Sequence, residues 1–234
     1  MQARLTKDSL NREFRGIRLA GNILKYLINR TGPMTHAAHE VCAMVKTDPA
    51  APRADAEIGF GLYSFSVIDG KIILDQEPGM TWVGYVLRPE SKGRVMIRSQ
   101  DPDVAPDINA NYLATEYDRE RSVALFHLMR KLMAQPALRP YVRGEIQPGP
   151  DIKTDDDIIA SLFRDGSTGY HVAGTCRMGG DALSVVDPRL RVRGVNGLRV
   201  MDTSVMPSLP SGNTNGPVMA MAVRASELIL EDHN

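Results

Sequence analysis

Cysteine is nearly missing from this chain, with two residues, Cys42 and Cys176, in 234. They stand far apart and form no C-x-x-C pair, so no disulfide framework is expected and a reducing, cytoplasmic setting is the default. Charge of one sign is missing as well. The 28 basic and 28 acidic residues give a formal net charge of +0, which argues against a nucleic-acid partner and against disorder. No apolar run reaches the ~18–20 residues of a membrane span, and the opening MQARLTKDSLNREF has no secretory core. Also missing is any G-x-G-x-x-G phosphate-binding loop, since GFGLYS at 59–64 lacks the final glycine and reads as strand. What remains is an ordinary apolar fraction of 43%, enough to build a substantial core at this length.

Periodicity assigns the elements. DSLNREFRGIRLAGNILKYLINR predicts a helix over 8–30, capped by Asp8 or Ser9, with Ile17, Leu19, Ile23, Leu24, Leu27 and Ile28 at helical spacing and Gly32-Pro33 as its stop. EIGFGLYSFSVIDGKIILD predicts a hairpin turning at Asp69-Gly70, two residues that tolerate positive φ. TWVGYVLRP and GRVMIRS add strands, and helices are expected from Thr115 and within TDDDIIASLFR. SVVDPRLRVRG and GLRVMD read as short strands before a last helix that starts near Pro217, where a missing N–H costs nothing. The fold class is α+β, an antiparallel sheet carrying helices.

Several residues invite chemistry. His36 and His39 have i,i+3 spacing, but a metal needs three or four ligands and no second pair is evident, so no metal site is assigned. Asp155, Asp156 and Asp157 read as a helix first turn, Cys176 as a small buried residue, His127 as a packed or half-exposed helix residue and His233 as part of a loose tail. His171 has better company. It lies in STGYHVAGTCRMGG, and Asn213 lies in the segment before the Pro217 helix, whose free N–H groups suit an anion or a polarised carbonyl. From the residues alone, a satisfied loop histidine with capping asparagines stays as open a reading as a catalytic group.

The stretch from YHVAGTCRMGG through SVVDPRLRVRGVNGLRVMDTSVMPSLPSGNTNGPVMAMAVRASELIL resembles the C-terminal signature of the glucose–methanol–choline (GMC) flavoprotein oxidoreductases. SLNREFRGIRLAGNILKYLINRTGPMTHAAHE, SKGRVMIRSQDP and DINANYL are similar to the same family's substrate domain, so the likeness covers almost the whole chain. It is similar above all to choline-dehydrogenase-like members. The resemblance implies residues 1–165 as a substrate-binding domain and 166–234 as the flavin-contacting C-terminal segment of a Rossmann-type FAD domain. It implies His171 as the active-site base, Asn213 as its partner, and Asp202, Thr203, Asn213 and Thr214 as residues that contact FAD. The implied reaction is alcohol oxidation to an aldehyde or ketone, with the hydroxyl proton going to His171 and the hydride to flavin N5. Imidazole suits that role because its usual pKa of ~6.5 leaves it mostly neutral at working pH.

The implied partners are a small alcohol and an electron acceptor such as oxygen or a quinone, the latter allowing membrane association. Because G-x-G-x-x-G is absent, the N-terminal FAD-binding domain is expected to be missing from this chain. A catalytically inactive fragment or binding module that keeps the substrate-domain fold is the alternative.

Overall fold

A computed structural model describes residues 1–7 and 9–232. The expectations for Asp8 as a cap and for His233 lie outside the described residues. The chain divides into two compact units, Met1–Val86 with Glu120–Gly166, and Leu87–Arg119 with Ser167–Asn234. Residues 87–119 therefore group with the C-terminal stretch.

The first unit is built on a five-stranded sheet. Its strands are β1 (Gln2–Leu5), β2 (Val41–Val45), β3 (Ala56–Gly61), β6 (Gly79–Val86) and β9 (Val142–Gln147), in the order β2-β3-β6-β1-β9. All the pairings are antiparallel. Strand β3 alternates, so Ala56 and Ile58 face helix α2 (Glu116–Met133) and pack with its Leu125 and Met129, one turn apart. Where α2 crosses β6 the sheet needs a glycine: a Cβ on Gly84 would lie 2.9 Å from the Met129 sulfur. A second cluster joins Ala3, Leu5, Met80 and Met133.

Between β3 and β6 stands the hairpin β4 (Phe65–Ile68) to β5 (Lys71–Leu74), turning at Asp69 (φ +50°) and Gly70 (φ +72°) as expected. Helix α3 (Asp155–Asp165) opens with a capping box, in which Thr154 Oγ1 accepts from Asp157 N–H at 3.1 Å and Asp157 Oδ2 accepts from Thr154 N–H at 2.9 Å.

One expected helix is shorter than its pattern. Residues 10–12 form a 3₁₀ turn capped by Ser9, and α1 begins only at Gly16 and ends at Asn29. Asn11 sets the break. Fully buried, it donates to the carbonyls of Ser64 (2.7 Å) and Asp75 (3.1 Å), and it accepts from the N–H groups of Ser64 (3.0 Å) and Gly79 (3.2 Å). An amide tied to three distant backbone segments holds its own segment off the helical path.

The second unit has a short hairpin, β7 (Arg94–Met96) with β8 (Asp107–Asn109), and the terminal helix α4 (Asn215–Glu231). Its core is Val186, Leu190, Val205 and Ala225. The two strands expected within 184–202 form only isolated bridges, Met178 to Val186, Val186 to Val192 and Arg191 to Arg199. Pro188 cannot donate, and Gly194 and Gly197 turn the chain at positive φ before a ladder can grow.

Candidate active site

The loop bearing His171 is held close to a neighbouring turn by backbone bonds. Cys176 N–H donates to Ser204 O at 3.0 Å and Met178 N–H to Val205 O at 2.8 Å. Gly174 turns this loop at φ +91°, a conformation that favours glycine. Beside His171, Tyr170 takes φ +59°, a costly conformation for a residue with a side chain, and one that recurs at functional sites.

Both ring nitrogens of His171 have partners from one dipeptide. Nε2 lies 3.0 Å from Asn213 Oδ1 and Nδ1 lies 3.1 Å from Thr214 Oγ1. Asn213 is exposed, His171 half-buried and Thr214 buried. Two proton arrangements satisfy this contact set. With the amide oxygen facing Nε2, that nitrogen carries the proton and Nδ1 accepts from the Thr214 hydroxyl. A half-turn of the amide presents Nδ2–H₂ instead; then Nδ1–H donates to Thr214 and Nε2 keeps its lone pair. Both tautomers fit the threonine hydroxyl and the asparagine amide, and only the second leaves Nε2 unprotonated.

Thr214 is also the N-cap of α4, yet its side chain makes no capping bond. The first intrahelical bond is Val218 N–H to Thr214 O, and Pro217 has no N–H, so the N–H groups of Asn215 and Gly216 begin the helix. A Cβ on Gly216 would meet nothing within 4 Å. Such an end, open and carrying the positive pole of a helix, suits an electron-rich oxygen.

The Asp202–Thr203 turn is a second donor set. Asp202 caps a 3₁₀ turn over Thr203–Val205, accepting from Ser204 N–H at 2.7 Å. Ser204 Oγ is buried without a protein partner. That hydroxyl escaped the sequence reading; its only signal is its place one residue after the expected FAD-contacting pair. An orphaned buried hydroxyl and an uncapped helix N-terminus both fit a polar cofactor with acceptor oxygens.

Elsewhere the candidates keep to themselves. His36 Nδ1 is paired with Glu40, and the His39 ring packs on Gly59. His127 Nε2 is 3.5 Å from Asp155 Oδ1, and Cys176 is half-buried.

The family model for GMC oxidoreductases matches residues 89–222, more than half the chain and all of the His171–Asn213–Thr214 set. The chain belongs to the GMC oxidoreductase family. Among curated GMC relatives it is 38% identical to an oxygen-dependent choline dehydrogenase of Rhizobium rhizogenes over 208 residues, covering 88% of this chain and 38% of the relative. It is 35% identical to the alcohol dehydrogenase [acceptor] of Pseudomonas putida, covering 89% and 37%. To human mitochondrial choline dehydrogenase it is 38% identical, covering 88% and 35%. The chain thus spans less than half the length of these relatives.

Among solved structures, pyridoxine 4-oxidase from Mesorbium loti superposes with a TM-score of 0.70 at 26% identity, covering 84% of this chain and 38% of that one. An Aspergillus oryzae formate oxidase variant, studied for FAD modification, superposes with a TM-score of 0.87 at 22% identity, covering 99% and 45%. The latter likeness speaks for the GMC fold alone.

Proposed function

We propose that this chain supplies the catalytic residues of an FAD-dependent oxidoreductase that converts an alcohol to an aldehyde or ketone. The observation that carries the reading is His171 bonded through both nitrogens to Asn213 and Thr214 at the start of α4. An entering substrate hydroxyl replaces the Asn213–His171 bond, donating its proton to Nε2 and accepting from Asn213 Nδ2. Thr214 holds the ring, so that Nδ1–H stays engaged while Nε2 takes the proton. Bound FAD would supply the hydride acceptor, at N5.

Asp202, Thr203, Ser204 and the N–H groups that open α4 are the residues that would hold the cofactor. Negative charge on the cofactor is favoured beside that helix terminus. In this reading residues 1–165 take the substrate side and 166–234 the flavin side, with 87–119 clustering with the latter. The family membership supports the class of chemistry, and names such as choline dehydrogenase and alcohol dehydrogenase among the relatives support an alcohol as substrate. The electron acceptor is oxygen, a quinone or a related carrier.

The test is anaerobic. This chain joined to an N-terminal FAD-binding domain and loaded with FAD is mixed with a panel of primary alcohols that includes choline, and the oxidised flavin band is followed. Bleaching by at least one alcohol, with the carbonyl product recovered, is the expected result; a band unmoved by every alcohol would overturn the proposal.

A further inference from the structure

Asn213 stands at the end of an irregular segment. Residues 207–213 run without helix or strand between the Thr203–Val205 turn and α4. Pro207 and Pro210 have no N–H to give, and the bond from Gly212 N–H to Pro210 O, at 3.0 Å, stays inside the segment. Gly212, directly before Asn213, takes φ +140°, a backbone that favours glycine and leaves a pivot under the amide. From the other side, Thr214 ties Asn213 to the start of α4.

A side chain far away in sequence reaches into this segment. Arg88 Nη1 donates to Ser211 Oγ, 123 positions along the chain and two before Asn213. Arg88 itself stands on a fixed base. Leu87 beside it is 3% exposed. Just after it, the Asp118 carboxylate accepts from Glu90 N–H on one oxygen and from Ser91 N–H on the other, each at 2.8 Å. Asp118 is buried in the first turn of α2, where the positive pole of the helix steadies a carboxylate. Ser91 Oγ in turn accepts from Ala114 N–H at 2.9 Å and from Thr115 N–H at 3.2 Å. Leu87–Arg119 and Ser167–Asn234 belong to one compact unit. Every one of these bonds is internal to it, and they stand whatever packs on its outer surface.

We propose that Arg88 is a positioning residue: through Ser211 it pins the segment that carries Asn213, and so holds the amide beside His171 Nε2, where an entering hydroxyl meets both. The inference rests on the catalytic reading of His171 and Asn213 given above. A guanidinium donor is charge-assisted and directional, and α2 anchors it independently of α4. The pivot at Gly212 is thereby held on both sides, by Arg88 through Ser211 and by α4 through Thr214. Arg88 touches neither the ring nor the alcohol in this account. Its effect must therefore vanish once the Asn213 amide is gone.

A double-mutant cycle tests this in the FAD-loaded enzyme in which the chain is joined to an N-terminal FAD-binding domain. Arg88→Met should slow flavin reduction by saturating alcohol about 3- to 10-fold, no more than Asn213→Ala does, with FAD content kept. In the Asn213→Ala background the same substitution should change the rate less than about twofold. Arg88→Lys, which keeps a charged donor, should return most of the rate. Ser211→Ala should match Arg88→Met and serves if that variant fails to fold. Nitrogen NMR of labelled histidine in the substrate-free enzyme gives a readout apart from turnover: Arg88→Met should shift the His171 ring signals in the direction that Asn213→Ala shifts them. An Arg88→Met effect that persists undiminished without the amide would overturn the proposal, as would a parent-like rate, a loss of FAD, or unmoved ring signals. A parent whose flavin no alcohol reduces would instead overturn the catalytic reading, and the ring signals alone would then decide whether Arg88 holds the amide.

Discussion

His171 and Asn213 lie 42 residues apart in the chain and 3.0 Å apart in space, Nε2 against the side-chain amide. A neutral amide in that place puts no charge beside Nε2; a carboxylate does. In Asn213→Asp the new charge favours imidazolium, so the base is consumed by a proton until higher pH. The acid limb of the kcat/KM profile is expected to move upward by about one pH unit or more. Asn213→Ala should cost about 0.5–1.5 kcal/mol in transition-state stabilisation, without that displacement. A pH–rate series on the FAD-loaded variants reads both outcomes.

Thr214 acts on the other ring nitrogen, at 3.1 Å. Thr214→Val keeps the shape and removes the hydroxyl, so the ring loses its bond at Nδ1 but not its place. Turnover should fall about 3- to 10-fold, a hydrogen bond's worth, with KM little changed. Because the Thr214 side chain does not cap α4, thermal stability should be nearly that of the parent; a large drop in Tm would assign Thr214 to the fold.

Asn11 is the structural counterpart of that pair. Replacing it with alanine strips partners from buried carbonyl and N–H groups at Ser64, Asp75 and Gly79. Each buried group left unpaired costs about 1–3 kcal/mol, so Asn11→Ala should destabilise the first unit by about 3 kcal/mol or more. Urea unfolding followed by circular dichroism is the measurement.

Asp232 receives Arg191, Arg199 and Arg189, and their guanidinium groups hold its carboxyl well below the usual carboxylate range. A depressed folded-state pKa means that this contribution is present above the unfolded value, near ~4, and fades as pH falls through the folded value. Asp232→Asn should therefore lower Tm at neutral pH, and the gap from the parent should close at strongly acidic pH. Thermal melts across that range check the sign.

How much of this was legible in the chain follows how local each feature is. Helices α2, α3 and α4 and the Asp69-Gly70 hairpin announce themselves through neighbours three, four or two residues away. Strands β1, β2 and β9 do not. β1 is four residues long and gains its identity only by pairing with β6 and β9, far along the chain, and Gly144 interrupts the β9 pattern. Patterning also misleads at α1, where helical spacing of apolar residues is real but the face it makes is not core. Within the site, His171 and Asn213 were marked by their glycine- and proline-rich surroundings and by family resemblance. The two bonds to the ring and the orphaned Ser204 hydroxyl needed three dimensions, since nothing in a serine's or threonine's neighbours states where its hydroxyl will point.

The central claim is that Nε2 of His171 takes the substrate proton. It is tested most directly by stopped-flow reduction, with saturating alcohol, of the FAD-loaded enzyme in which this chain is joined to an N-terminal FAD-binding domain, which isolates the hydride step from reoxidation. His171→Ala should slow flavin reduction by ~10²–10⁴-fold, with flavin content and fold retained. His36→Ala and His39→Ala should reduce their flavin at the parent rate. Reduction of His171→Ala at the parent rate across neutral and alkaline pH would contradict the account.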